Sequence, residues 1–216
     1  MAKSLVVVTF ETSGKAPEQG GRITEVAAVR IHNGEIIKRY TSLANSGVRL
    51  RRPLIESTGI TQQMVDSAPP MSAVLDRLLA FIGSDPVIAH NATFDQRMFD
   101  TECEHAGVQI AIEPFICFLR LARRLFPELE SHSLGTLSAA LGIYYPGGAQ
   151  RAATAAEVAG TLVIQFCQTL RARLRGVEPD AALLRQISEM PAKHARAMLE
   201  YVPDRTRPIG EIALPH

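Results

Sequence analysis

Two carboxylates stand at the ends of apolar strands in this chain, Glu11 within Thr9-Phe10-Glu11-Thr12-Ser13-Gly14 and Asp95 within His90-Asn91-Ala92-Thr93-Phe94-Asp95. A third stretch, Gln150-Arg151-Ala152-Ala153-Thr154-Ala155-Ala156, opens a long helix and holds neither a carboxylate nor a histidine. Carboxylates and imidazoles are the side chains that move protons near neutral pH, whereas the amide of Gln150 takes no proton and the methyl group of Ala155 offers no donor atom. Glu157 is the acid nearest to Ala155. Two positions along a helix is a turn of about 200°, so Glu157 faces away from the side that Ala155 occupies. His132, in Ser131-His132-Ser133, has no orienting partner in its neighbourhood and reads as a loop or cap residue, with a swing toward the cleft as the alternative.

The elements that position these residues follow from hydrophobic pattern and turn chemistry. Leu5 to Phe10 is almost continuously apolar and β-branched, as a strand buried on both faces requires. Arg22 to Ile31 and Glu35 to Leu43 follow as strands, joined through His32-Asn33-Gly34, whose Asn-Gly pair signals a tight hairpin. A helix over 72–81, a short buried strand over 86–89 ending at His90, and an amphipathic helix over 93–106 come next. A strand over 115–118 runs into a helix over 119–126, and another helix over 134–141 ends at Gly142. The longest helix, 151 to about 175, carries an inward stripe of Ala155, Ala159, Leu162, Phe166, Leu170 and Leu174. Arg171, Arg173 and Arg175 at its far end complement the helix dipole. Helices over 181–189 and 192–201 and an extended tail over 203–216 complete the chain. The order predicts an α/β fold, a ribonuclease-H-like mixed five-stranded sheet flanked by helices. It divides the chain into a domain over 1–176 and a helical appendage with an extended tail over 177–216.

The three stretches resemble, in order, the exonuclease motifs of the DnaQ-like (DEDDh) 3′-5′ exonucleases, whose pattern is D-x-E, then H-N-A-x-F-D, then a His followed five positions later by an Asp. The resemblance runs from about residue 5 to 175 and extends to Leu121-Ala122-Arg123-Arg124-Leu125-Phe126-Pro127, Ser133-Leu134-Gly135-Thr136-Leu137 and Leu141-Gly142-Ile143. It implies two divalent ions, magnesium or manganese, clamping the attacking water and the leaving oxygen. It also implies a bridging Asp, a completing Glu and Asp, and a His as general base. The second motif is intact here, the first keeps Glu11 but has Thr9 for its Asp, and the third has Gln150 and Ala155 for its His and Asp. Glu11 and Asp95 are therefore the retained acids and the only implied metal ligands. The same resemblance assigns the turn Thr12-Ser13-Gly14 to cradling a terminal nucleotide, with His90 and Asn91 fixing the second loop and Phe94 bordering the base or joining the core.

The expected function is a DnaQ-like exonuclease-fold protein with impaired or absent hydrolysis, retaining a single-stranded DNA or RNA end as ligand or serving a protein partner or homodimer. Two alternatives stand beside it: an active metal-dependent 3′-5′ exonuclease, like the epsilon subunit of DNA polymerase III, and an assembly subunit that never meets nucleic acid. The formal net charge of +1 means that any nucleic-acid footprint is local rather than global. Arg49, Arg51 and Arg52 form the densest basic cluster of the N-terminal half, without interleaved aromatics, and read first as a solvated loop. The three cysteines, Cys103, Cys117 and Cys167, show no metal spacing and read as buried thiols of a reducing cytoplasm. No run of the sequence is long and apolar enough to span a membrane.

Overall fold

The structure, a computed structural model, describes residues 4–14, 16–146 and 151–200. Its centre is a five-stranded sheet in the order β3-β2-β1-β4-β5. The strands are β1 (Leu5–Thr12), β2 (Ile23–His32), β3 (Glu35–Leu43), β4 (Val87–Ala89) and β5 (Ile116–Cys117). The first three form the expected antiparallel meander, and β4 and β5 add in parallel on the other side of β1. Asn33 and Gly34 sit consecutively at φ 52° and 78°, the two left-handed positions of a hairpin turn that matches strand twist.

Alternation along β1 divides the interior in two. Val6 and Val8 point to the face covered by α3 (Met71–Ile82) and α4 (Ala92–Ala106), with Val74, Leu78, Met98 and Phe99. Leu5 and Val7 point to the opposite face, with residues of α5 (Phe118–Leu125) and α7 (Ala152–Arg173), among them Leu121, Leu162 and Phe166. Helix α7 approaches the sheet closely at Gly160, where an added Cβ would lie 2.7 Å from Val29 Cγ2 and 3.0 Å from Ile36 Cδ1. Only a residue without a side chain fits there unless its neighbours shift. Helices α8 (Ala181–Glu189) and α9 (Ala192–Glu200) send Leu184, Ile187 and Leu199 into the same cluster as α7.

Several sequence expectations are corrected. The arginine-bearing link after β3 is not only a loop, because α1 (Arg52–Thr58) and α2 (Gln62–Asp66) lie in it. These helices are shorter than the periodicity that reveals a helix in sequence, and local signals define them: Pro53 in the first turn and Gly59 at φ 69° for α1, and the Thr61 hydroxyl accepting from Met64 N for α2. Arg52 pairs with Glu56 one turn on. β5 spans two residues rather than four. The buried stripe of α7 begins with Ala152 and Ala156, then Ala159, Leu162, Phe166 and Leu170; Ala155 is half-buried beside it, so it belongs to the edge of the stripe. α6 (Leu134–Ala140) is as expected but for its last residue. Cys103 and Cys117 are buried thiols, whereas Cys167 is half-buried. The expected tail over 203–216 lies outside the described residues. Among the described residues no helix is long and apolar enough to cross a membrane.

Candidate functional site

The site lies where the carboxyl ends of β1 and β4 run side by side. Val8 pairs with Ala89 in parallel register, so the first motif leaves β1 level with the second leaving β4. Thr9 and Glu11 alternate onto the face that α7 covers, following Leu5 and Val7. Thr9 is buried, and its hydroxyl donates to the carbonyl oxygen of Ala152 at 2.7 Å. That bond ties the end of the central strand to the first turn of α7, where the third motif begins. An ionised carboxylate has no proton to give to this carbonyl.

Glu11 stands directly opposite Glu25 on β2. Burial, and then the charge of Glu25, push the Glu11 carboxyl up to about 7, and Arg151 opposes the shift. Glu25 itself is partnered. Its two oxygens accept from Arg151 Nε, each at 3.0 Å, and Oε2 accepts from the backbone N–H of Ala152 at 2.8 Å. The Glu25 side chain is 2 % exposed and that of Arg151 36 %. One carboxylate thus satisfies a guanidinium and a free N–H at the start of α7, fastening the helix that carries the third motif to the sheet. Tyr145 lies near enough for the Glu11 charge to raise its phenol pKa, after burial as the main cause.

The second motif forms the start of α4. Asp95 turns its carboxylate back to accept from the backbone N–H of Asn91 at 3.2 Å, and burial pushes it up to about 7 despite that bond. Phe94 is partly buried against the core on the α3/α4 face. His90 is pushed down to about 4 by burial, with a backbone contact to His132 opposing and the Arg123 charge adding to the fall, so its ring is neutral at physiological pH. His90 Nδ1 is buried with no hydrogen-bond partner among the described residues.

In the first-motif turn, Ser13 exchanges bonds with Arg22: its N–H donates to Arg22 O at 2.9 Å, and its hydroxyl accepts from Arg22 N at 3.1 Å. Thr12 Oγ1 accepts from Gly14 N at 3.3 Å, and Gly14 adopts φ 80°. A register shift between Glu11 and Thr12 opens the turn. His132 is occupied as a loop residue, with Nε2 2.9 Å from the carbonyl oxygen of Phe126. Glu157 pairs with Arg39, away from the cleft. Gln150 lies outside the described residues.

These residues do not fit a two-ion clamp. Thr9 offers a neutral hydroxyl already bonded to a carbonyl, Ala155 offers no oxygen, and Glu25 is held by Arg151 and Ala152 N. Glu11 and Asp95 remain as carboxylates paired with no cation, Asp95 accepting only from Asn91 N, and among the described residues no group of three or more His, Cys, Asp or Glu side chains could hold a metal ion.

A family model described as an exonuclease, RNase_T, matches residues 6–147. The chain belongs to the RNase_T exonuclease family. This family member is related to the DnaQ-like 3′-5′ exonucleases and to PolC. It is 40 % identical over 132 residues to the PolC-type DNA polymerase III of Halalkalibacterium halodurans, covering 61 % of this chain and 9 % of the relative. It is 31 % identical over 166 residues to the 3′-5′ exonuclease DinG of Bacillus subtilis, covering 77 % of this chain and 18 % of that one. The chain therefore spans under a fifth of either relative. Among solved structures, exonuclease X in complex with 5′ overhanging duplex DNA superposes with a TM-score of 0.66 at 25 % identity, covering 85 % of this chain and 99 % of that one. The nuclease domain of 3′hExo, a DEDDh family member bound to rAMP, superposes with a TM-score of 0.66 at 18 % identity over 77 % of this chain and 92 % of that one, a likeness of fold.

Sequence reasoning missed Glu25 and Glu102. The first is a lone acid within the apolar run Ile23 to Ile31, a pattern that announces a buried, partnered charge. The second is fully buried on α4 and bonds Arg22 Nε at 2.9 Å and Ile23 N at 2.8 Å, fixing the start of β2. Its partner lies 80 residues away, beyond the reach of local spacing.

Proposed function

We propose that this chain binds the 3′ end of a single-stranded nucleic acid on an exonuclease scaffold whose hydrolytic power is impaired or lost. The observation that carries the reading is the Thr9 hydroxyl bonded to Ala152 O across the cleft, at the position where the family's bridging acid stands. The site has a neutral structural bond where a metal-bridging charge belongs. Gln150 adds the loss of a general base, a change that typically costs about 10²–10⁴-fold by itself, and Ala155 adds the loss of a ligand. The family match ends at residue 147, just before this third stretch. Support for retained binding comes from the intact second motif, from the first-motif turn, and from the nucleic-acid and nucleotide complexes of exonuclease X and 3′hExo. Magnesium or manganese is the cofactor only if activity persists.

The second reading, an active exonuclease, draws on Glu11 and Asp95 being kept and uncommitted to any cation. Incubating the full chain with a 5′-labelled single strand in magnesium or manganese separates the two. The first reading expects a bound, full-length strand, with linear DNA preferred over circular; the second expects a ladder of shortened products that vanishes on Glu11→Ala. Equal affinity for linear and circular strands would overturn end recognition.

A further inference from the structure

The pairing of β1 with β4 stops at Val8 and Ala89. Thr12 lies further along β1 by roughly 13 Å, past a register shift between Glu11 and Thr12. The two lips of the cleft, the first-motif turn and the second-motif loop, are therefore held in place relative to each other by something other than strand pairing.

That link runs through α4. Glu102 is fully buried there, and its carboxylate accepts from Arg22 Nε at 2.9 Å and Ile23 N at 2.8 Å on Oε1, and from Arg22 Nη2 at 2.7 Å on Oε2. Arg22 in turn holds the first-motif turn by its backbone: its carbonyl oxygen accepts from Ser13 N at 2.9 Å, and its N–H donates to Ser13 Oγ at 3.1 Å. From Asp95 to Glu102 the helix rotates about 20° short of two full turns, so both acids lie along one face of α4. One rigid helix carries the second-motif acid at its start and, about 10 Å further along, the fastening of the first-motif turn.

Two other contacts join the same parts and constrain them less. Phe10 stacks on Phe99 with ring centroids 6.4 Å apart, an apolar contact without directional preference for one register. Arg97 pairs with Glu18 of the short turn Pro17–Gln19, but both side chains are more than half exposed, where an ion pair contributes little. The forked pair of Arg22 and Glu102 has one geometry, and it is buried, with side chains 25 % and 1 % exposed.

We infer that Glu102 is a positioning residue for the strand end: acting through Arg22, it sets the Thr12-Ser13-Gly14 turn at a fixed distance from the second-motif loop, so that both lips meet one terminal nucleotide. The inference rests on the end-binding reading. Without the pair, the turn moves with β2 and the loop with α4, and a strand end loses one of its two walls while contacts along the strand remain.

The test measures binding of a fluorescent oligothymidine, as a linear strand and as a closed circle of the same length, to the full chain and to Arg22→Lys and Glu102→Gln. Urea unfolding fixes the conditions in which each variant is fully folded, and binding is measured there. Lysine keeps the charge and loses the fork; glutamine keeps the shape and one acceptor. Affinity for the linear strand is expected to fall about tenfold with Arg22→Lys, the scale of one hydrogen bond to a charged group, and less with Glu102→Gln, with affinity for the circle unchanged in both. Folded variants that keep the parent's preference for the linear strand, whatever their loss of stability, overturn the positioning role and leave end binding intact. An equal loss for linear and circular strands overturns it by making the pair a general support of the binding surface. A parent that binds both forms equally overturns the end-binding reading and this inference with it. NMR of the parent needs no variant: the Arg22 Nε–H and Ser13 amide signals are expected to shift together on adding the linear strand, and an Arg22 signal that stays in place while Ser13 shifts contradicts the link.

Discussion

The two sides of the cleft have opposite polar economies. On the side built from β1, β2 and α7, Thr9 is satisfied by Ala152 and Glu25 by Arg151 and Ala152 N, while the Glu11 carboxylate makes no hydrogen bond among the described residues. On the side built from β4, α4 and the 123–133 segment, Arg123 and the Asn91 amide face solvent, and His90 Nδ1 is buried without a hydrogen-bond partner among the described residues. The comparison separates a side held together by buried bonds to α7 from a side whose donors face solvent.

If the first side is structural, the largest effect falls on its buried pair. Glu25→Ala leaves Arg151 and the first turn of α7 without their acceptor and is expected to cost about 3–5 kcal/mol in urea unfolding. Arg123→Ala on the other side is expected to stay within about 0.5 kcal/mol. Comparable losses at both positions would erase the contrast.

Glu11 sharpens the comparison through pH. Its folded pKa, raised from 4.5 to about 7, means that the folded state holds a proton which the unfolded state has released between those values. Stability from this group is therefore unaffected below pH 4.5, falls as pH rises toward 7, and stays reduced above it. Glu11→Gln is expected to raise stability at pH 8 by about 1–2 kcal/mol, after allowance for partial exposure, and to change nothing at pH 4. A loss of several kcal/mol at pH 8 would place Glu11 in a structural ion pair instead.

Thr9→Val keeps the shape and deletes the bond to Ala152, with an expected cost of about 1 kcal/mol. Thr9→Asp is expected to cost more, because it sets a carboxylate against a carbonyl oxygen 2.7 Å from the present hydroxyl. A stabilised Asp variant in metal-free buffer would show that the cleft had not adapted to threonine.

Much of this was legible in the sequence. The Asn33-Gly34 turn, the continuous apolar β1 and the long α7 carry strong local signals, and the motif order gave the sheet its topology. What stayed hidden depended on distance in the chain or on shortness. The helices α1 and α2 are defined by caps rather than periodicity. The pairs Glu25–Arg151 and Arg22–Glu102 join residues 126 and 80 positions apart, and only Glu25 stands out locally, as a lone acid in an apolar run. The spacing of Ala155 fits the buried stripe, but the phase of α7 is set by Ala152 and Ala156, and this leaves Ala155 half-buried beside it.

Whether the cleft has lost hydrolysis is decided by an exonuclease assay in manganese that sets the parent chain beside the triple variant Thr9→Asp, Gln150→His, Ala155→Asp. The parent is expected to show no more than trace activity, single variants to gain little because the groups act as a unit, and the triple variant both to bind manganese and to shorten the strand. Robust cutting by the parent, abolished by Glu11→Ala, would contradict the loss of hydrolysis.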